Sequence, residues 1–537
     1  MRAARVLSGF VVTATRVPER SRSTWPRIAF SGRALWGICL IVIGAGLFTG
    51  YLHQASITAA NSDGAAMALQ AWDMLHGNVL LHGWSLADVS FYTTEVPEDA
   101  VVELFTGLRP DVVHISAALT YTLIVLLTAL VARGRTRGAQ GVLRAVLAGT
   151  IVVAPSVVLG TRVLLLSPNH TGTAVPVLLA LLILDRGCLR GRHVPVLIGL
   201  LLTWTQVADQ VATFALALPL ALVGAVRAAR LRSRDDGRLA LAGAASAVAA
   251  PAVLWLIHAA GGFYQAPLQG NLLAAPSAVP GQFRTVGECA LILFGASPAS
   301  GFSGLVRWLH AVCLALAAVA LVTALARLTR IDRASQVLAT GLVIVLAAGV
   351  FSTHVTSGAS AHEIAVVLPM GAALTGRMVP VAALRGRWLL GVAPVLAGFG
   401  ACFLAALAIA ATWSPGRPDN AALARWLQAD GLHAGLSGYW QADSVNLDSG
   451  RRLLIAPVLA TSDSRVQAYR WETQASWFDS RATYANFVVQ ATSNGMETMT
   501  IPQSVLYSRF GQPARIWHFE NYTITVWNRN LLPRLDP

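Results

Sequence analysis

Charged residues are scarce in this 537-residue chain: only 12% of the residues are charged, whereas 55% are hydrophobic. Soluble domains carry about 25% charged residues, so the composition excludes an ordinary soluble fold. The mean hydropathy of +0.58 instead predicts a protein with many membrane spans.

Cysteine and lysine are also scarce. The five cysteines mostly lie in apolar runs and show neither metal-site spacing nor a disulfide framework, so we interpret them as small core residues. There is no lysine, and the formal net charge of +14 comes from 40 arginines. Motifs of the types GxxxxGKS, GxxxxGKT, HExxH, CxxC and GxSxG are absent, so soluble-enzyme chemistry has no support.

Long apolar runs predict a helical membrane bundle, because a bilayer core about 30 Å thick needs roughly 20 apolar residues in a helix. Eleven spans are predicted, at residues 34–52, 112–132, 145–162, 174–185, 194–208, 211–226, 239–259, 304–326, 334–351, 363–379 and 389–412. The expected fold class is mostly α, a polytopic bundle with a small extracytoplasmic α/β domain. The expected domains are a basic cytoplasmic N-terminus (1–33), the membrane domain (34–412) and the C-terminal domain (413–537).

Arginine placement sets the expected orientation, because cytoplasmic segments of membrane proteins are enriched in basic residues. With the N-terminus inside, 25 of the 40 arginines fall on inner segments, 4 at outer positions and 11 after residue 412. Loop 53–111 and the C-terminal domain therefore face outward. We expect a multi-pass protein of a bacterial plasma membrane, without a nucleic-acid partner.

The first outer loop, residues 53–111, reverses the charge, with eight carboxylates and one arginine. One short helix is predicted to begin at Ser62 or Asp63, both good N-cap residues, and to stop at Gly77. Its apolar residues share one face and predict that this helix lies on the membrane surface. These residues are Ala65, Ala68, Trp72 and Leu75.

A second surface helix is predicted over 95–107, where acidic residues in the first turn suit the positive end of the helix. Its apolar side comprises Val101, Leu104, Phe105 and Leu108. A further outer loop, 260–303, is rich in glycine and proline and is either a mobile lid or a long connection. From about Trp413 the pattern becomes that of a soluble domain. Segments such as "RLLIAPV" and "NFVVQAT" predict strands.

One acidic residue directly after the first span, then two short helices, many spans and an outer C-terminal domain make the chain resemble the GT-C glycosyltransferases. The matching segments are "NSDG", "AWDMLHGN" and "FYTTEVPEDA". The segments "DNAALARWLQADGL" and "FGQPARIWHFENYTITVWNRNLL" resemble an actinobacterial branch of that superfamily. The sequence departs from the family pattern at Gly64, where a second acid is usual, and lacks the Lys-Pro-Pro of better-known members.

This resemblance implies both an activity and a catalytic residue. GT-C enzymes move sugars from polyprenyl-phosphate carriers on the outer face, and an aspartate just beyond the first helix is taken as their base. The resemblance makes Asp63 the expected base. It also implies a polyprenyl-phosphate-linked sugar donor, membrane lipid, and a glycan or lipid acceptor of the envelope. The alternative is that Asp63 only caps a helix.

Sugar transfer also needs groups that orient the base. Glu95 and Asp99 are expected either to orient Asp63 or hold a divalent metal ion, or only to complement the dipole of their helix. Asp209 and the pair His362-Glu363, near outer helix ends, either line the cavity or simply reach water.

The leaving lipid phosphate needs a cation. Four arginines break the positive-inside pattern: Arg109, Arg162, Arg284 and Arg307. Of these we select Arg162 and Arg284, together with His170, as phosphate-binding candidates, the alternative being side chains that merely reach water.

Two other functions stay open. A transporter or flippase of a lipid-linked substrate usually places ionisable groups at mid-membrane and repeats its halves, and neither pattern is found here. A non-enzymatic envelope-assembly protein needs no acid cluster over a lipid-accessible cavity.

Overall fold

The computed structural model describes residues 32–166, 170–186, 193–268, 270, 272–378, 387–410, 412, 420–461, 463, 465–491 and 501–536. Every contact discussed below lies between Gly44 and Pro537, which form one unit. The α-helices are, in chain order, α1 (Gly32–Ala55), α2 (Ser62–Leu75), α3 (Glu95–Thr106), α4 (Asp111–Arg133), α5 (Gly138–Val152), α6 (Leu159–Leu164), α7 (Ala174–Arg186), α8 (His193–Ala208), α9 (Leu218–Leu231), α10 (Arg234–Ala259), α11 (Val279–Leu293), α12 (Gly304–Ala326), α13 (Arg333–Phe351), α14 (Val367–Met378), α15 (Arg387–Ala410), α16 (Ala421–Ala429), α17 (Tyr439–Asp448) and α18 (Gln503–Phe510).

The predicted membrane bundle is confirmed. Six helices of the described chain are long and apolar enough to cross a membrane: α1, α4, α10, α12, α13, and α9 together with the π-helical segment Thr213–Ala217 that leads into it. Shorter apolar helices include α5, α8 and the second half of α15. Each of the eleven predicted spans overlaps a helix, although several of these helices are too short to cross a bilayer unaided.

The predicted third span, 145–162, is wrong at its C-terminal end. Helix α5 ends at Val152, and the short α6 follows as a separate helix. Pro155 explains the break, because proline has no backbone N–H and clashes with the preceding turn. The freed carbonyls bind α1: Tyr51 Oη donates to the Val153 carbonyl at 2.6 Å, and Gln54 Nε2 to that of Pro155 at 3.1 Å.

Helix α2 is not a surface helix, which corrects the first prediction for loop 53–111. Ala65 and Ala68 are fully buried in a cluster with Val102, Val113 and Leu447. The helix thus packs between α3 and α17 rather than on lipid. A stripe of small apolar residues suits close helix packing as well as membrane contact, so the pattern alone does not distinguish the two.

Helix α3 exposes its apolar face and buries its acidic face. It exposes Leu104 (67%) and Phe105 (87%), as a helix at a membrane surface requires. Its opposite face buries Glu95, Asp99 and Glu103, which follow one another at the i, i+4 spacing. The acidic face therefore points into the protein.

Nine strands complete the described structure: β1 (Trp84–Leu86), β2 (Tyr264–Gln265), β3 (Ala434–Ser437), β4 (Leu454–Ala460), β5 (Val466–Ala468), β6 (Thr473–Gln474), β7 (Phe487–Ala491), β8 (Arg515–Phe519) and β9 (Tyr522–Val526). Six form one sheet in the order β5-β4-β3-β7-β9-β8. Its centre, β4-β3-β7, is parallel, and the outer pairs are antiparallel. With α16 and α17 this gives a small α/β layer.

A second sheet joins the C-terminal region to loops 53–111 and 260–303. Strand β1 of loop 53–111 pairs in parallel with β2 and antiparallel with β6. Loop 260–303 supplies β2 and also α11. Near this sheet, Trp84 Nε1 donates to Asp73 Oδ2 at 2.8 Å, and Arg451 forms an ion pair with the same carboxylate.

Candidate active site around Asp63

Asp63 lies in the first turn of α2, but it is not the N-cap. Asn61 caps the helix: its side chain accepts from the Gly64 N–H at 3.0 Å. The sequence prediction of a cap at Ser62 or Asp63 is therefore wrong by one or two residues. Asn61 also donates through Nδ2 to Asp63 Oδ2 at 3.0 Å. The partly buried carboxylate of Asp63 is thus held in place by Asn61 and does not cap the helix.

The C-terminal region supplies the other contacts of Asp63. Ser62 Oγ donates to the Tyr439 carbonyl at 2.6 Å, which fixes the start of α17 against the start of α2. The Tyr439 hydroxyl lies in hydrogen-bond contact with Asp63 Oδ1 and 2.6 Å from Glu472 Oε2. Asp443, one turn further along α17, is fully buried. Three carboxyl groups thus surround one phenol.

A histidine cluster faces this group. His170 Nδ1 lies 3.0 Å from Asp209 Oδ2, and His170 Nε2 lies 3.5 Å from Glu363 Oε2. His362 Nε2 is 3.6 Å from the other oxygen of Glu363, and the two imidazole rings stack with centroids 5.8 Å apart. His362 belongs to the 3-10 turn Gly358–Ile364, which follows α13.

Charges within this cluster compensate one another. Burial opposes protonation of His170, but the carboxylates of Asp209, Glu363 and Glu95 raise its pKa to about 9. Burial also disfavours ionised Glu363, yet the neighbouring His362 and the charge of His170 lower its pKa to about 2. Burial raises the pKa of Asp63, and the hydrogen bond from Tyr439 and the charge of His362 oppose that rise. The site therefore places the Asp63 carboxyl group beside a cluster in which histidines and carboxylates balance one another's charge.

Glu95 belongs to this site, whereas Asp99 lies one turn deeper on α3. Burial raises the pKa of Glu95 to about 7, and nearby Asp209 adds to the effect against the hydrogen bond from Thr94. Gly172 leaves the space for Glu95, because a Cβ at residue 172 would lie 2.0 Å from Glu95 Oε1. Asp99 is fully buried, and burial raises its pKa to about 7, although a hydrogen bond with Ser116 acts to lower it. Its place favours a role behind Glu95 rather than contact with Asp63.

One group of side chains suits a divalent metal ion. Within the described residues, His170, His362 and Glu363 offer ligand atoms that all lie within 4.8 Å of one another. Asp209 holds the other nitrogen of His170, an arrangement that orients metal-bound histidines in many proteins. Neither Glu95 nor Asp99 belongs to this group; for these two residues, metal binding was one of the alternatives that the sequence left open.

Comparison with known proteins supports the same architecture. No protein-family model matches the chain, and no curated protein matches its sequence. ArnT from Cupriavidus metallidurans bound to undecaprenyl phosphate is similar in structure, with a TM-score of 0.57 and 11% identity over 94% of this chain and 99% of that one. ArnT in the apo state gives 0.54 and 12% over 94% and 100%. The chain has the GT-C fold.

The GT-C resemblance predicted from the sequence is therefore confirmed at the level of the fold. Both arginines predicted to bind the phosphate are exposed. Arg284 lies on α11 with its side chain 85% exposed, where it pairs with Glu288 at 3.1 Å. Arg162 is exposed on α6, whose neighbours include the turn that carries His362. Among the basic side chains of the described structure, His362 is the one whose charge lowers the pKa of Asp63.

Sequence reasoning missed Tyr439, Glu472 and Asp443, although this GT-C fold brings them to Asp63. They are about 380 to 410 residues away along the chain, and none belongs to a local motif. One signal was present: Tyr439 follows the carboxyl end of a strand, β3, that proves to be parallel, and α/β sheets commonly bind ligands there. Only the structure shows that Glu472 and His170 adopt left-handed backbone conformations, φ 53° and 51°, which non-glycine residues rarely hold outside constrained sites.

Proposed function

We propose that this protein is a glycosyltransferase that moves a sugar from a polyprenyl-phosphate carrier to an envelope glycan or lipid on the outer face of the membrane. The observation that supports it most is the environment of Asp63. Tyr439 of the C-terminal region donates a hydrogen bond to it, and His362 of the His170–His362–Glu363 cluster is near enough to lower its pKa. ArnT, which has the same fold, was crystallised with undecaprenyl phosphate, and this makes a polyprenyl phosphate the first donor to test.

In the proposed reaction, Asp63 accepts the proton of the acceptor hydroxyl. The hydroxyl oxygen then bonds to the anomeric carbon of the sugar, while the bond from that carbon to the phosphate oxygen breaks. The electron pair leaves with the lipid phosphate, whose charge His170 and His362 stabilise. Positive charge preorganised at the leaving group is a major source of catalysis in such transfers.

A divalent metal ion fits the same cluster, and we propose His170, His362 and Glu363 as its ligands. Bound there, the ion supplies positive charge to the donor phosphate. Chelation with EDTA is then expected to abolish transfer, and added Mg²⁺ or Mn²⁺ to restore it. Unchanged transfer after exhaustive chelation contradicts the metal and leaves the histidines as the cations.

The experiment that tests the proposed function compares Asp63→Asn with wild type. The purified protein in lipid nanodiscs is offered farnesyl- and decaprenyl-phosphate-linked pentoses and hexoses with an envelope extract as acceptor. Loss of a general base lowers the rate by about 10² to 10⁴. Asp111→Asn is the matched control, because Asp111 belongs to the same loop, is 64% exposed and pairs with the equally exposed Arg109 at 3.3 Å.

The proposal fails if wild type and Asp63→Asn form the same products at the same rate. In a strain that lacks the protein, unchanged glycolipids and wall sugars also contradict it. Movement of the lipid-linked sugar across the membrane without transfer favours a flippase instead.

A further inference from the structure

The Tyr439 hydroxyl contacts two carboxyl groups, and both contacts can be hydrogen bonds only if one of these groups is protonated. The phenol oxygen lies within hydrogen-bond distance of Asp63 Oδ1 and of Glu472 Oε2, the latter at 2.6 Å. A tyrosine has a single O–H and can donate to only one of them. The second contact therefore needs a carboxyl group that keeps its proton and donates it to the phenol oxygen.

Burial and charge identify Glu472 as the protonated partner. Glu472 is 3% exposed, and the negative charges of Asp63, Asp443 and Asp88 all disfavour its ionised form. Asp63 is half-buried, accepts a second hydrogen bond from Asn61 and feels the positive charge of His362. Since these two carboxyl groups compete for one proton, it resides on Glu472.

We propose that Tyr439 and Glu472 are positioning residues that set the basicity of Asp63. Glu472 donates its proton to the Tyr439 oxygen, and the Tyr439 O–H donates to Asp63 Oδ1. This array leaves Asp63 ionised, with lone pairs on Oδ2 for the acceptor hydroxyl. The inference rests on the proposed function, in which Asp63 takes the proton of the acceptor.

The fold explains how residues so far apart in the chain build this array. Glu472 directly precedes β6, and the pairing of β6 with β1 fixes its position against loop 53–111. Tyr439 begins α17, whose start is held by the hydrogen bond from Ser62. The base of the membrane domain is therefore tuned by two side chains of the C-terminal region.

The surrounding charges set the expected pH dependence. The groups that act on Asp63 and Glu472 are Asp443, Asp88, His362 and Tyr439, and the Tyr469 ring packs against Tyr439 with centroids 5.6 Å apart. The hydrogen bond from Tyr439 favours ionised Asp63, so its loss raises the pKa of Asp63. Activity that needs ionised Asp63 then appears only at higher pH.

The test measures the pH dependence of transfer for three variants. Tyr439→Phe keeps the ring but loses the hydrogen bond, and we expect the acid limb of kcat/KM to move up by about one to two pH units, the size of a hydrogen bond to a charged group. Glu472→Gln keeps a donor to the phenol, so its acid limb is expected to stay. Tyr469→Phe removes a neighbouring hydroxyl and is the matched control.

Two results overturn the inference. An unshifted acid limb in Tyr439→Phe means that Tyr439 is merely structural. An acid limb that moves to lower pH in Glu472→Gln means that Glu472 is ionised in the wild type, because the substitution then removes a negative charge.

Infrared difference spectra provide a readout that does not depend on transfer. Wild type minus Glu472→Gln at pH 7 is expected to show the C=O band of a neutral carboxylic acid, and a carboxylate band instead contradicts the array. If wild type transfers no sugar, the proposed function fails while the spectra still decide where the proton lies.

Discussion

Replacing Arg377 by methionine tests how the end of the helical bundle opposite the site is held together. The guanidinium is 6% exposed and pairs with Asp185 at 3.1 Å on α7 and with Asp332 at 2.7 Å at the start of α13. It also donates to Ser335 Oγ at 2.9 Å and to the Val131 carbonyl of α4 at 2.7 Å. One side chain thus joins four helices.

The expected loss of stability follows from the two carboxylates, Asp185 and Asp332, that lose their partner when Arg377 is replaced. Asp332 is 53% exposed and can regain water, whereas Asp185 is 10% exposed and becomes a buried charge without its partner. Breaking a buried pair in this way costs about 3–5 kcal/mol. That loss corresponds to at least a hundredfold change in the ratio of folded to unfolded protein, since about 1.4 kcal/mol is a factor of ten.

The assay is equilibrium unfolding in mixed micelles, followed by intrinsic tryptophan fluorescence. Arg238→Met is the control, because Arg238 and Asp235 form an exposed pair, 54% and 59% exposed, whose loss costs about 0–1 kcal/mol. Adding Asp185→Asn to Arg377→Met is expected to recover part of the loss by removing the unpaired charge. Equal unfolding free energies for Arg377→Met and Arg238→Met would show that the buried ion pairs of Arg377 do not stabilise the bundle.

Two further predictions concern the site and the orientation. Gly172→Ala forces Glu95 to swing aside and is expected to lower transfer by about 10- to 100-fold with little effect on melting; Gly287→Ala, where a Cβ meets nothing within 4 Å, is the control. Loss of transfer in both variants contradicts a specific role for Glu95. In a background without the native cysteines, a membrane-impermeant maleimide is expected to label Ser480→Cys in intact cells and Asp235→Cys only after permeabilisation. The reverse pattern contradicts the outward C-terminal region.

Much of the membrane architecture could be predicted because hydrophobic length is a strong physical constraint. A run such as 304–326 has few stable places outside a bilayer, and α12 has the same bounds. The predictions that failed were those where the same local sequence pattern fits two different structures. Pro155 ends α5 inside an apolar run, and the alanines of α2 pack on protein although the same pattern suits lipid.

The site could be predicted in part. His170, Asp209 and the pair His362-Glu363 were candidates from the sequence, as was Asp63, and the structure brings the first four together. Asp63 was identified by its place in loop 53–111, and the structure separates its two possible roles, because Asn61 caps the helix. Tyr439 and Glu472 reach Asp63 through strand pairing over nearly 400 residues, which no local pattern encodes. Of the three side chains predicted to bind the phosphate, His170 is buried in ion pairs with Asp209 and Glu363, whereas Arg162 and Arg284 are exposed.

Electron cryomicroscopy of the nanodisc-embedded protein with undecaprenyl phosphate shows directly where the lipid phosphate binds. We expect the phosphate beside His170 or His362, in hydrogen-bond contact or joined to them by a bound metal ion, on the side of the cluster nearest Asp63. A lipid phosphate bound at Arg284, or anywhere else away from Asp63, with the histidine cluster empty, would mean that the proposed site is wrong.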